Sequence, residues 1–361
     1  MPISVSSHVR SAVPRTDIAR RSADVVTIQI LRAFAAWLVV FSHFMQIFFS
    51  FEPTNPVGDF FTVHGRIGVD IFFVISGFVM YRSVRSGRYT AGQFMRNRIL
   101  RIVPAYWIAT LCLIAAVETG LVDRAIDYAR WTTESLVLSL FFVPHDHLSG
   151  IGTYPVLTVG WTLIFEMFFY LSLAVCMAAF GRFALVAAGA LMVALPLVSG
   201  PDWPLAWIVT NPMLLEFVAG MALSWVYDTI PGDVWKRSLA PILGLGMLAA
   251  IVPYTMLIGT GFRYVAATLL VAAALLWEDR IQQQVGLLTK TLRYLGDRSY
   301  SAYLYHPVVL MSLFSAFGRP ETALATLAVL AGVVVLTLIM SELSYKLVEI
   351  RLSKALRQVW R

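Results

Sequence analysis

The chain has 361 residues, of which 58% are hydrophobic and 14% charged, with a net charge of +7 and a mean hydropathy of +0.74. A soluble domain carries about 25% charged residues, so the composition excludes a water-soluble globular enzyme. It describes an all-α polytopic membrane protein, one helical domain embedded in a lipid bilayer.

Residues 1–27 hold Arg10, Arg15, Arg20 and Arg21 and no apolar core. They read as a cytoplasmic N-terminal tail, not a signal peptide. Arg20-Arg21 looks like a twin-arginine pair, but the apolar stretch behind it is too long, and too interrupted by Arg32, for a signal core. About ten transmembrane helices are predicted from hydropathy, at approximately 28–50, 66–83, 102–119, 160–180, 184–199, 205–228, 239–256, 262–277, 299–318 and 322–348. Residues 28–348 thus form the membrane domain and 349–361 a cytoplasmic C-terminal tail.

With both termini inside, most of the 28 Lys+Arg fall on inner segments, including Arg82, Arg85, Arg88, Arg96, Arg98 and Arg101. Arg66, Arg124, Arg130, Arg263 and Arg319 fall outside. This positive-inside asymmetry explains the basic pI and argues against a nucleic-acid partner. The inner segment 82–101 reads as an arginine-rich loop. The outer segment 120–159 contains a short apolar piece, 136–143, expected to be re-entrant or interfacial. Cys112 and Cys176 lie within spans and carry no disulfide or metal signal. His145-Asp146-His147 lacks a further ligand and reads as surface polarity, so no metal is expected.

Polar residues inside spans carry the functional signal, because an arginine in a membrane helix costs about 2.5 kcal/mol or more. Arg32 and His43 lie eleven residues apart, which is three helical turns plus about 20°, so they share one face about 16 Å apart along the axis. His43 lies about 10 Å below the outer surface, with Asp70 at about 6 Å and Glu166 at about 8 Å. Arg32 lies about 6 Å, and His306 about 10 Å, from the inner surface. Histidine is the usual general base near neutral pH, and a carboxylate beside it fixes its tautomer. Glu166 or Asp70 suits that role for His43. Arg32 suits an anionic or carbonyl-bearing donor. Ordinary roles compete at each position: Asp70 as a hydrogen bond to a neighbouring helix, Arg98 and Arg101 as topology anchors, Glu216 and Glu342 as packing or helix-end groups.

Five ordered blocks resemble membrane acyltransferase family 3. They are Arg32-x10-His43, the Gly-Val-Asp-x-Phe-Phe-x-x-Ser-Gly-Phe segment at 68–78, and Arg98-x-x-Arg101 before Ile-Val-Pro-Ala-Tyr-Trp107. The others are Trp161-Thr-Leu-x-x-Glu166 with Tyr170, and Ser299-Tyr300-x-x-Tyr303-Leu304-x-His306. The wording around Arg32 and Glu166 is similar to the exopolysaccharide-production acetyltransferase branch. One departure is Val348-Glu-Ile-Arg351, where many members have Glu-x-Pro; it is expected to touch none of the proposed site.

The resemblance implies an O-acyltransferase of the bacterial inner membrane, taking acetyl from cytoplasmic acetyl-CoA to a sugar hydroxyl of an exopolysaccharide, lipopolysaccharide or lipid-linked glycan precursor. Polysaccharide-synthesis enzymes are the implied protein partners. His43, Glu166 and Asp70 are the expected catalytic residues; Arg32, Arg98, Arg101 and His306 are expected on the donor side. Direct transfer and an acyl-histidine route both stay open. So does a second class, a glycan or proton-coupled transporter, since intramembrane Arg, His and Glu also line transport paths.

Overall fold

A computed structural model describes residues 25–53, 55–200, 203, 205–229, 261–284 and 286–360. The predicted tail up to residue 24 and the span 239–256 lie outside the described residues. Among the described residues, regular structure is helical apart from one isolated bridge between Asp146 and Thr153.

Helices α1 (Val26–Phe49), α2 (Pro56–His64), α3 (Ile67–Arg85), α4 (Ala91–Glu118) and α5 (Thr133–Leu140) make the first half. Then come α6 (Trp161–Phe180), α7 (Ala184–Val198), α8 (Met213–Thr229) and α9 (Gly261–Leu275). The chain continues with α10 (Glu278–Gln283), α11 (Leu287–Asp297), α12 (Ser299–Phe317) and α13 (Ala323–Ser344). A π-helical stretch, Tyr345–Leu352, leads into α14 (Ser353–Val359).

Among the described residues, five stretches are long and apolar enough to cross a membrane: Val26–Phe49, Pro56–Arg85, Ala91–Glu118, Thr158–Val198 and Ala323–Val359. The 41-residue stretch Thr158–Val198 is broken at Gly181, whose φ of +51° a side chain would strain, and α6 folds back against α7. The predicted spans 205–228, 262–277 and 299–318 are helical but do not meet the same measure. α8 and α9 are short, and α12 carries Ser299, Tyr300, Ser301, Tyr303, Tyr305 and His306 on its first turns. Of these six, all but Tyr300 are buried, so α12 hides its polar groups inside the bundle.

Two expected loops are helical. A capping box between Thr90 and Gln93 starts α4 at Ala91, eleven residues before the predicted span. That places Arg98 and Arg101 on one helix face, one turn apart, rather than in a loop. In the outer segment, Thr132 and Ser135 box the start of α5. Tyr106 Oη and Trp107 Nε1 of α4 donate to the Ser139 and Leu140 carbonyls at 3.2 and 2.8 Å, fixing α5 against α4.

α1, α3 and α12 form the centre. α1 packs on α3, α11 and α12, and α3 packs on α8 and α9. The α3–α8 contact depends on two glycines. A Cβ on Gly77 would stand 2.1 Å from the Phe217 carbonyl oxygen, and one on Gly220 would stand 2.0 Å from the Val74 carbonyl oxygen. Close helix approach through small residues is the usual solution where lipid removes the hydrophobic drive between helices. Gly77→Ala is expected to destabilise the fold by about 3 kcal/mol, because backbone cannot yield as a side chain can; thermal unfolding in detergent reads it.

The N-terminus of α1 has no local side-chain cap. Glu278 supplies one from across the chain. Its carboxylate accepts from the Val26 N–H at 2.9 Å and the Thr27 N–H at 2.8 Å, and from the Thr27 hydroxyl. Glu278 is buried, so removing it strands these donors. Glu278→Ala is expected to cost about 2 kcal/mol, measured by the same unfolding experiment.

Candidate functional site

Two neighbouring cavities are lined by polar side chains of the bundle. The first, about 110 Å³, is lined by Arg32, Arg98 and Arg101 together with Ser76, Glu166 and Tyr170. The second, about 350 Å³, is lined by His43, Gln46, Arg66, Tyr128, Tyr154 and Arg263, among others. Val69 and Tyr303 line both.

The arginine cavity draws on five helices, α1, α3, α4, α6 and α12. α1 supplies Arg32, whose Nε donates to Ser299 Oγ of α12 at 3.2 Å. α4 supplies Arg98 and Arg101. The Arg98 guanidinium lies over the rings of Phe94 and Tyr170, at 5.7 and 6.0 Å from their centroids, and its buried Nε has no hydrogen-bond partner among the described residues. α6 supplies Glu166 and, one turn on, Tyr170. Tyr170 Oη donates to Glu166 Oε1 at 2.8 Å and Ser76 Oγ donates to the same oxygen at 3.0 Å. Three cations against one lining carboxylate make an anion-attracting pocket, and the unpartnered Arg98 Nε has the donor that an anionic ligand needs. The residues present therefore fit the phosphate-bearing donor expected from the sequence.

The histidine cavity carries a hydrogen-bond chain. His306 Nδ1 lies 3.2 Å from the Ala302 carbonyl, which only accepts, so Nδ1 carries a proton. With both rings neutral, His306 Nε2 is then the acceptor for His43 Nδ1–H, 2.8 Å away. The proton on His43 Nδ1 leaves Nε2 as a bare lone pair, on a side chain that faces the cavity. The backbone carbonyl thus sets, through His306, which nitrogen of His43 is basic.

This arrangement corrects several sequence expectations. His306 was expected on the donor side and apart in depth from His43, yet the two rings are bonded. α1 and α12 run side by side in one direction, Arg32 meeting Ser299 and His43 meeting His306. Eleven residues on one helix span about 16 Å and seven on the other about 10 Å, and side-chain reach closes the difference. Depths counted from separate span ends carry boundary errors that hid the match.

Neither expected carboxylate touches His43. Asp70 is buried and pairs with Arg263 Nε at 2.8 and 2.9 Å, with buried Glu216 beside it. Six residues separate Asp70 from Ser76 on α3, leaving their side chains about 120° apart. Ser76 faces the arginine cavity, and Asp70 faces α8 and α9. Glu166 belongs to the arginine cavity with Ser76 and Tyr170.

The departure at Val348-Glu-Ile-Arg351 also behaves differently from expectation. Glu349 sits in the π-helical stretch, accepts from Ser301 Oγ at 2.6 Å, and has Arg101 and Arg32 as cationic neighbours. Such π insertions recur at functional sites because the wider turn re-aims a side chain. The expected tail beyond 349 folds back on α4, where Ser353 Oγ donates to the Leu100 carbonyl at 3.0 Å. Glu349, Ser76 and Arg263 are not singled out by sequence reasoning; the Glu that the last motif keeps, although Arg351 stands where many members have Pro, is the available signal for the first. Away from the site, Asp146 Oδ1 accepts from Thr153 Oγ1 at 3.1 Å and His147 Nδ1 accepts from the Ser149 N–H at 3.3 Å, so both serve the loop's own geometry.

The acyltransferase domain family matches residues 25–342. The chain is 33% identical over 299 residues to the exopolysaccharide production protein ExoZ of Rhizobium meliloti (strain 1021), covering 79% of this chain and 90% of that protein. It is 30% identical over 315 residues to nodulation protein 10 of Rhizobium leguminosarum bv. viciae, covering 79% and 83%. It is 23% identical over 329 residues to the O-acetyltransferase OatA of Staphylococcus aureus (strain NCTC 8325 / PS 47), covering 80% of this chain and 53% of that longer protein. No solved structure matches. The chain belongs to acyltransferase family 3 and is a membrane acyltransferase.

Proposed function

We propose that this protein moves an acetyl group from cytoplasmic acetyl-CoA to a sugar hydroxyl of an exopolysaccharide, lipopolysaccharide or lipid-linked glycan precursor. It acts in the bacterial inner membrane with both termini in the cytoplasm. One observation carries the reading. A cavity with three arginines abuts a cavity with a basic histidine, so an anionic donor and a neutral hydroxyl have separate compartments that meet.

In this reading Arg98 and Arg101 hold the donor's phosphates, and Arg32 holds the carbonyl end of its arm. The acceptor sugar enters the larger cavity, beside His43. His43 Nε2 takes the hydroxyl proton as the sugar oxygen attacks the acyl carbon. The new C–O ester bond forms as the C–S thioester bond breaks, and the proton passes from His43 to the departing thiolate. Glu166, held by Tyr170 and Ser76, balances the arginines beside the thioester. Asp70 keeps Arg263 in place at the wall of the acceptor cavity.

Mass spectrometry of the surface glycan with and without the protein tests the proposal. The loss of one acetyl mass per modified repeat is the expected result. An unchanged glycan mass with reduced export would instead assign a transporter.

A further inference from the structure

The two cavities share a narrow stretch of wall. Val69 of α3 and Tyr303 of α12 are the residues common to both linings among the described residues. They form the partition between the two cavities, so an acyl group taking the direct route from the arginines to His43 crosses at these two side chains.

Both are pinned. Tyr303 Oη donates to the Val159 carbonyl at 2.8 Å and stands 2.9 Å from Thr162 Oγ1. Its ring packs against Phe72 and His306, with centroids 6.0 and 5.9 Å away. With the hydroxyl tethered at one end and the ring gripped at the other, Tyr303 has no room to swing aside. Val69 is held by its neighbour. A Cβ on Gly68 would stand 2.3 Å from the Ala35 carbonyl oxygen, so α3 lies directly on α1 at this level and cannot retreat. Val is also stiff at χ1. The partition at Val69 and Tyr303 is therefore rigid rather than yielding.

We infer that Val69 and Tyr303 gauge the acyl chain, passing acetyl and rejecting longer acyl groups at the junction of the two cavities. This rests on the acyl-transfer reading above. Val69 is the variable half of the gauge, because its side chain changes aperture width without touching the Tyr303 tethers. One methylene in a fitted hydrophobic site is worth about tenfold or more in discrimination.

The test uses the full-length protein in membranes of glycan-producing cells, with radiolabelled acetyl-CoA and propionyl-CoA as donors and label on the glycan as readout. Val69→Ala is expected to raise the propionyl-to-acetyl ratio about tenfold, and Val69→Ile to lower it by a similar factor. A ratio is insensitive to how much protein folds, and the two variants push in opposite directions, so either alone decides. Glycan labelled by the parent with both ratios unchanged in the variants overturns the gauge and leaves acyl transfer standing. No label from any donor in the parent overturns the acyl-transfer reading, and the gauge with it.

Discussion

Replacing His43 with alanine is expected to lower acyl transfer by about 10²–10⁴-fold, the range for loss of a positioned general base. The loss falls on kcat, with the KM for the donor unchanged, because His43 lies in the acceptor cavity and not among the arginines. The reason is the proton chain. The Ala302 carbonyl orients His306, and His306 orients His43, leaving a lone pair on Nε2; in the proposed mechanism the sugar hydroxyl meets that lone pair. His306→Ala breaks the chain one link earlier. His43 then keeps its imidazole but loses the partner that selects its tautomer, so kcat falls by less than in His43→Ala and the donor KM again stays put. Steady-state kinetics on folded variants, checked by thermal unfolding, separate the two. Full activity in His43→Ala would remove the catalytic assignment.

The second large effect is on donor binding. Arg98→Ala combined with Arg101→Ala is expected to raise the donor KM about 100-fold. Each charge-assisted contact contributes about 1.5–3 kcal/mol, and about 1.4 kcal/mol is a factor of ten. Arg98 is the stronger half, since its buried Nε has no partner among the described residues. Glu349, which has Arg101 and Arg32 as electrostatic neighbours, is expected to moderate the effect. Equilibrium binding of acetyl-CoA to the purified double variant checks the prediction, and affinity equal to the parent would remove the donor site from these arginines.

Helix positions were legible because hydropathy runs and the positive-inside bias act along the chain, and α1, α3, α6, α7 and α12 begin within a residue or two of their expected spans. The shared face of Arg32 and His43 was legible for the same reason, being a property of one helix. What joins different helices was not. His306 meets His43 because α12 lies alongside α1, and no periodicity within α12 states that. Asp70 was assigned by depth alone, but its helical phase turns it toward α8 and α9, where Arg263 holds it. The start of α4 escapes hydropathy because its first turns are charged. The Thr90–Gln93 capping box was the overlooked signal. Glu349 was set aside on a motif mismatch, although the π-helical stretch carries it to the arginines.

The central claim is directional: donor on the cytoplasmic side, acceptor on the other, with transfer where the two cavities meet. Sealed membrane vesicles of known orientation test it most directly, because acetyl-CoA is charged and does not cross the bilayer. With radiolabelled acetyl-CoA added outside, inverted vesicles, whose cytoplasmic face is exposed, are predicted to accumulate label on glycan enclosed within them. Right-side-out vesicles are predicted to stay unlabelled until they are opened. Equal labelling of sealed right-side-out vesicles would contradict the account.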